Sequence, residues 1–146
     1  MRGTTGMLVV GALAAGACGG GGAIKQASPA LPVNLTVYVN DSRVSLSPDS
    51  VGAGPVVFIV TNQASRTKSL SLLPAGTSAA QPVASTGTIS PKGTAQVTVD
   101  LSAGDYSLTT AVNDGTGTPP STTGVQAATL HIGPPRPSGA NDLLQP

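Results

Sequence analysis

Residues 94–112 read Thr94-Ala-Gln-Val-Thr-Val-Asp-Leu101, then Ser102-Ala-Gly-Asp105, then Tyr106-Ser-Leu-Thr-Thr-Ala-Val112. Apolar and polar residues alternate in the first and third segments, and the middle segment carries a glycine. Alternation with a period of two places successive side chains on opposite faces of a β-strand. The stretch therefore predicts two strands joined as a hairpin by the turn at Ser102 to Asp105.

Similar patterns on both sides of this stretch predict further strands. They cover Val33 to Val39, a short segment through Val44 and Leu46, Pro55 to Thr61, Thr67 to Leu73, an edge strand near Val83 to Ile89, and Val125 to Ile132. The run from Pro55 to Thr61 is continuously apolar or β-branched, which is typical of a strand covered on both faces. No segment shows helical periodicity. Seven or eight short strands predict an all-β fold, a single antiparallel Greek-key β-sandwich or a barrel.

Two long segments lack a sustained pattern, Pro74 to Thr88 and Asn113 to Gly124. Binding residues often lie on long loops of a rigid β scaffold, and tolerated surface insertions are the alternative interpretation. From Gly133 onward, the sequence Pro-Pro-Arg-Pro-Ser-Gly predicts a disordered tail.

The first residues have the three-part form of an export signal. Arg2 precedes an apolar run from Met7 to Ala17, and about 20 residues would be needed to span a bilayer as a helix. The stretch Leu13-Ala-Ala-Gly-Ala-Cys18 resembles the bacterial lipobox, in which the cysteine receives a diacylglycerol before cleavage. Ala15 stands where leucine is usual. Ala15-x-Ala17 is also an ordinary cleavage site, which would release a soluble protein.

The lipobox resemblance implies that Cys18 is the lipidated first residue of the mature protein. We therefore expect an exported lipoprotein, anchored on the outer face of the bacterial cell membrane. The expected organisation is a signal peptide at 1–17, the lipidated cysteine and a flexible tether at 18–31, the β-sandwich at 32–133 and the disordered tail at 134–146.

Charge is sparse, with seven Lys or Arg residues against six Asp and no Glu. A near-neutral surface without a basic cluster offers no electrostatic footprint for nucleic acid. The expected partners are the membrane, through the lipid, and an unidentified protein or small molecule. Nucleic acid is not expected to bind.

The order of the segments resembles that of the cupredoxin-like family. The matching landmarks are Gly54-Pro-Val-Val-Phe-Ile-Val-Thr-Asn62, Lys68-Ser-Leu-Ser-Leu72, Ile89-Ser-Pro-Lys-Gly-Thr94, Ala103-Gly-Asp-Tyr-x-Leu-x-Thr110 and Ala128-Thr-Leu-His-Ile132. The resemblance covers about Val33 to Ile132 and implies a Greek-key sandwich. In copper-binding members, the first histidine ligand lies six residues after an asparagine that matches Asn62.

The resemblance also implies where copper ligands would lie in this chain. Lys68 stands at the first histidine, Thr110 at the cysteine and Val125 at the methionine, while the second histidine would fall in 113–124, which has none. Blue-copper sites need two His and a Cys thiolate with a weak axial group. After residue 18 the chain has one His and no Met or further Cys. We therefore expect no metal and no cofactor.

Catalytic residues are not predicted either. His131 should face solvent on its strand, the alternative being a weak metal ligand or a pH switch. Ser65-Arg-Thr-Lys68 matches Ser-x-x-Lys by chance, and no Gly-x-Ser-x-Gly stretch presents a nucleophile. The expected function is a non-enzymatic envelope lipoprotein with a copper-free binding or scaffolding domain. The alternatives are a copper-handling protein with an atypical site and an immunoglobulin-like adhesion module.

Overall fold

The computed structural model describes residues 30–76, 81–112 and 124–137. These residues form eight β-strands. They are β1 (Val33–Val39), β2 (Val44–Ser47), β3 (Ser50–Asn62), β4 (Lys68–Pro74), β5 (Ala84–Ser85), β6 (Thr94–Leu101), β7 (Gly104–Val112) and β8 (Ala128–Pro135). No helix in the described ranges is long and apolar enough to cross a membrane.

The strands form two sheets that share β3. The first sheet has the order β2-β1-β3-β6, and the second has the order β3-β8-β7-β4-β5. β1 and β8 each pair with β3 in the parallel direction, while all other pairings between strands are antiparallel. The all-β sandwich is as expected. The two parallel pairings were not predicted, because apolar alternation locates a strand but does not show the direction of its neighbour.

β3 passes from one sheet to the other. Ser50 to Ala53 pair with β8, and the strand continues from Gly54 between β1 and β6. Gly54 has a φ of 128°, and the register with β8 shifts between Gly52 and Ala53. Only glycine adopts such a φ readily, so Gly54 is the point where the strand can bend. The predicted strand began at Pro55, because the glycine-rich residues before it show no alternation.

The predicted hairpin at 94–112 is wrong in its pairing. Both strands exist, but β6 pairs with β3, while β7 pairs with β4 and β8 in the other sheet. The turn between Leu101 and Gly104 therefore carries the chain across the sandwich. Local alternation and a turn signal show where two strands begin and end, but they do not show whether those strands pair with each other.

Apolar side chains from both sheets fill the space between them. The fully buried ones include Leu35, Val37, Val56, Phe58, Val60, Leu108, Leu130 and Ile132. On β3 the alternate residues Val57 and Ile59 are only half-buried. The prediction that both faces of this strand are covered is therefore only partly correct, because β3 lies in a two-layer fold with no third layer outside it.

Part of the long segment from Pro74 to Thr88 is committed to the second sheet. β5 pairs with β4, and the buried Thr86 hydroxyl accepts a hydrogen bond from the Leu70 amide at 2.9 Å. Further along the same segment, Ile89 and Lys68 exchange two backbone hydrogen bonds, at 2.7 and 3.0 Å. The segment thus covers the edge of β4, where an open strand would invite association. Residues 77–80 lie outside the described residues.

Arg136 extends the ordered domain beyond its predicted end at residue 133. β8 continues to Pro135, and the Arg136 guanidinium donates to the carbonyls of Leu31, Ala53 and Pro55 at 2.7, 3.3 and 2.6 Å. A Cβ added at Gly52 would lie 2.5 Å from Cγ of Arg136. The missing side chain therefore leaves room for Arg136. The predicted tail from 138 onward lies outside the described residues.

The sandwich has two distinct ends. One of them, which we call the base end, contains Leu31, Pro55, Leu101 and Arg136. The turns after β1, after β3 and before β6 lie at the opposite end, which we call the loop end, because Val39 pairs with Asn62 and Thr61 with Thr94.

Candidate functional site

Asn62 holds the loop end together. Its side chain is fully buried, and its amide donates to the carbonyls of Arg66 and Ile89 at 2.9 and 2.8 Å. Its amide oxygen accepts from the Ala64 N–H at 2.9 Å, and its backbone bonds both Lys92 and Gly93. A buried amide with its donors and acceptor satisfied fixes the backbone around it.

Two further contacts join the neighbouring turns. The Asp41 carboxylate accepts from the Ser65 amide and hydroxyl at 3.1–3.2 Å, which links the turn after β1 to the turn after β3. Gln126 exchanges backbone hydrogen bonds with Ser42 and Val44 at 2.8 Å, and so links the segment before β8 to the same turn. The described turns of the loop end therefore form one hydrogen-bonded assembly.

Lys68 and Thr110 occupy the interior below this assembly. Lys68 is 4% exposed at the start of β4, and Thr110 is 3% exposed on β7. Lys68 pairs with Val112 and Leu70 with Thr110, so Lys68 and Thr110 are diagonal neighbours in the ladder. Such neighbours are about 7–8 Å apart. The structure thus brings together two of the positions at which the sequence resemblance places copper ligands.

The Thr110 hydroxyl has no hydrogen-bond partner among the described residues. A buried hydroxyl that leaves water without gaining a partner costs about 1–3 kcal/mol. Thr86, the other deeply buried threonine, differs because its hydroxyl accepts from Leu70 N–H. The family resemblance points to position 110, but no local pattern in the sequence marks the Thr110 hydroxyl as unpaired.

Neither an amine nor a hydroxyl supplies the imidazole and thiolate that a blue-copper ion requires. The donors that the structure places at Lys68 and Thr110 therefore do not fit that ion. Val125 is half-buried, packs against the core and precedes Gln126, which is bonded to the turn after β1. The described residues contain no group of three His, Cys, Asp or Glu that could hold a metal ion. Residues 113–123 and Cys18 lie outside the described residues.

His131 lies on the outer face of β8, opposite to the buried Leu130 and Ile132, as predicted. Its Nδ1 is 2.6 Å from the Asp105 carboxylate, and both side chains are about 60% exposed. An exposed pair of this kind contributes at most about 1 kcal/mol to stability. Sequence analysis predicted the exposure but not the partner, because Asp105 is 26 residues away in the chain.

An open cleft of about 440 Å³ lies at the base end, beside Pro55, Asp100, Leu101 and Arg136. The Arg136 guanidinium there is directed to three backbone carbonyls. Its hydrogen bonds therefore join the segment before β1 and the start of β3 to the segment after β8, all at the base end.

The loop end carries more positive charge than the near-neutral composition indicates. Arg43, Arg66 and Lys92 are exposed there, on three turns that the fold brings together. The three cations are far apart in the sequence, and the pairing of β1 and β6 with β3 places their turns at one end.

Solved structures of two auracyanins resemble this one. Auracyanin A, a "blue" copper protein from Chloroflexus aurantiacus, is 14% identical, and the match covers 69% of this chain and 98% of that one with a TM-score of 0.51. Auracyanin from Roseiflexus castenholzii is 12% identical over 73% of this chain and 100% of that one, with a TM-score of 0.47. At these identities the similarity concerns the fold alone. No protein-family model and no curated protein sequence matches this chain.

Proposed function

We propose that this domain, whose fold is that of a cupredoxin-like β-sandwich, serves as a copper-free binding or scaffolding module of a bacterial envelope lipoprotein. The proposal has two parts. The first is that the interior at the loop end binds no redox metal. The second is that Cys18 carries the lipid that keeps the module at the membrane. No catalytic role is proposed.

The burial of Lys68 and Thr110 at neighbouring interior positions is the main support for an interior without copper. A blue-copper domain needs soft or imidazole donors at its metal. Here a lysine and a threonine occupy these buried positions instead. The composition agrees, because the chain has a single His and a single Cys, and its two Met residues are Met1 and Met7.

His131 is the only histidine in the chain, and it lies far from the positions that match the copper ligands. His131 lies on the outer face of β8 with Asp105, near the base end, because Ile132 pairs with Gly104 at the start of β7. Lys68 and Thr110 lie inside, towards the loop end. A single metal ion could not contact His131 and Thr110 together.

The position of Ala30 supports the second part. The described chain enters at the base end, where Leu31 is bonded to Arg136. Twelve peptide units separate Cys18 from Ala30, which limits their separation to about 40 Å. A lipid on Cys18 would therefore keep the base end near the bilayer, and several acyl chains make a durable anchor.

Metabolic labelling with a palmitate analogue tests the anchor. Wild-type protein should incorporate the label and remain with the membrane fraction, whereas a Cys18→Ser variant should remain unlabelled. Unlabelled wild-type protein that is released from the cells would contradict the lipid anchor and favour simple cleavage after Ala17.

Elemental analysis after exposure to copper, followed by dialysis, tests the interior. We expect much less than one copper per chain and no intense visible band. Stoichiometric, tightly held copper would instead favour a copper-handling protein with an atypical site. His131→Ala is the matched variant, since it removes the only imidazole of the chain from the surface.

A further inference from the structure

Charges are segregated along the long axis of the sandwich. Among the described residues, the loop end carries four cations, Arg43, Arg66, Lys68 and Lys92, and one carboxylate, Asp41. The other end carries Arg136 and three carboxylates, Asp49, Asp100 and Asp105. Within the described residues, the loop end is therefore net positive and the base end net negative.

The three exposed cations stand on a fixed framework. Arg43 is held by backbone bonds to Asn40, Arg66 by the bond from its carbonyl to the Asn62 side chain, and Lys92 by the bond from its amide to the Asn62 carbonyl. All of these bonds use backbone groups of the three cations. Their side chains are thus left to point outward from a rigid base, which reduces the entropic cost of binding a partner.

These side chains are not neutralised by described neighbours. No carboxylate of the described residues lies within 4.0 Å of Arg43, Arg66 or Lys92. Asp41 is the nearest in sequence, but its two oxygens accept hydrogen bonds from Ser65. Within residues 30–76, 81–112 and 124–137, the three cations therefore have no ion-pair partner.

Lys92 provides an independent indication. It has a φ of 65°, in a turn closed by the 2.8 Å bond from Gly93 N–H to the Ser90 carbonyl. This left-handed conformation costs about 1–2 kcal/mol for a residue with a side chain, and glycine would adopt it freely. Keeping a lysine there maintains a cation on the turn at the expense of backbone strain.

We infer that the loop end, defined by Arg43, Arg66 and Lys92, is a docking surface for an acidic segment of another protein. Opposite charges across such a surface steer association and fix orientation. Three exposed cations offer few contacts for a nucleic-acid backbone, because that affinity grows with the number of phosphates that Lys and Arg neutralise. The turns at 40–43, 63–67 and 90–93 also contain no aromatic residue on which a base could stack.

The direction in which this surface faces rests on the proposed lipid anchor. With the base end held near the bilayer, the loop end points away from the membrane, towards soluble or peripheral proteins. The docking itself does not need the lipid. The test below therefore uses the exported Cys18→Ser chain, so that a failure of docking and a failure of anchoring give separate results.

The probe is a synthetic peptide of ten glutamates, titrated at low and at high salt while the amide NMR spectrum of the labelled chain is recorded. Shifts should concentrate at residues 40–43, 63–67 and 90–93. The triple variant Arg43→Gln, Arg66→Gln, Lys92→Gln should weaken binding roughly tenfold at low salt. The control Asn34→Asp, Thr98→Glu, Ser102→Asp changes the net charge equally on exposed positions away from the loop end, and should bind nearly as well as the parent.

Three results would overturn the inference. One is a triple variant that binds the peptide as tightly as the control variant. Another is a set of shifts spread over the whole sandwich or centred on the base end. The third is tighter binding of a DNA oligonucleotide or a sulfated polysaccharide than of the peptide, which would assign the surface to another class of anion.

Discussion

Replacing Thr110 with valine should stabilise the protein. The Thr110 side chain is 3% exposed, and its hydroxyl has no partner among the described residues. Valine has nearly the same shape and an equal preference for strands, so the change removes one desolvated hydroxyl and little else. A buried polar group without a hydrogen bond costs about 1–3 kcal/mol. We expect Thr110→Val to raise the free energy of unfolding by about 1–2 kcal/mol.

Thr86→Val is the matched control. Thr86 is also a buried threonine at a strand edge, but its hydroxyl accepts from the Leu70 amide at 2.9 Å. Valine there would leave that N–H without a partner, and stability should fall by about 1–3 kcal/mol. The same chemical substitution should thus change stability in opposite directions at the two positions.

Urea unfolding of the exported Cys18→Ser chain measures both variants. The slope of free energy against denaturant should not change, and only the midpoint should move. In thermal unfolding, 1 kcal/mol corresponds to a shift of about 4–8 °C for a domain of this size. A Thr110→Val variant that loses 1 kcal/mol or more would show that the hydroxyl has a partner and would refute the reasoning.

Three further substitutions test other parts of the structure. Arg136→Ala should lower the free energy of unfolding by about 1–2 kcal/mol, because three hydrogen bonds are lost. Arg136→Lys should be about as unstable, because an ammonium group cannot span the three carbonyls as a guanidinium does. Equal stability of wild type and Arg136→Ala in urea would contradict this. Asn62→Ala should cost about 3 kcal/mol, since it removes three hydrogen bonds and leaves the Ala64 N–H and the Arg66 carbonyl without the Asn62 side chain, while the Ile89 carbonyl keeps the Lys68 N–H. Hydrogen exchange should show fraying confined first to the loop end. His131→Ala should change stability by less than about 1 kcal/mol, because its pair with Asp105 is exposed; a larger loss in thermal unfolding would show that the pair has a structural role.

The strands could be predicted from the sequence because alternation is a local property. Val33 to Val39 alternates over seven residues, and the structure buries Leu35, Val37 and Val39 as expected. Pairing is not local. β6 and β7 follow each other across a short turn, yet they lie in different sheets. The start of β3 at Ser50 was also missed, because Gly52 and Gly54 interrupt the pattern where the strand changes sheets.

The candidate site was only partly predictable for the same reason. Lys68 and Thr110 were singled out by resemblance, and the structure places them close together in the interior. The shared position of Arg43, Arg66 and Lys92 at the loop end was missed because it depends on how β1 and β6 pair with β3. The role of Arg136 was missed because prolines around it indicated a tail. The glycines at 52 and 54 were a usable signal that another group packs closely on β3.

Native mass spectrometry of the protein extracted from membranes of cells grown with copper tests the central claim most directly, because a single spectrum reads lipid and metal together. The account predicts a chain that begins at Cys18, carries acyl lipid and has no copper bound. A species that retains one copper ion per chain would contradict the account, whether or not lipid is attached.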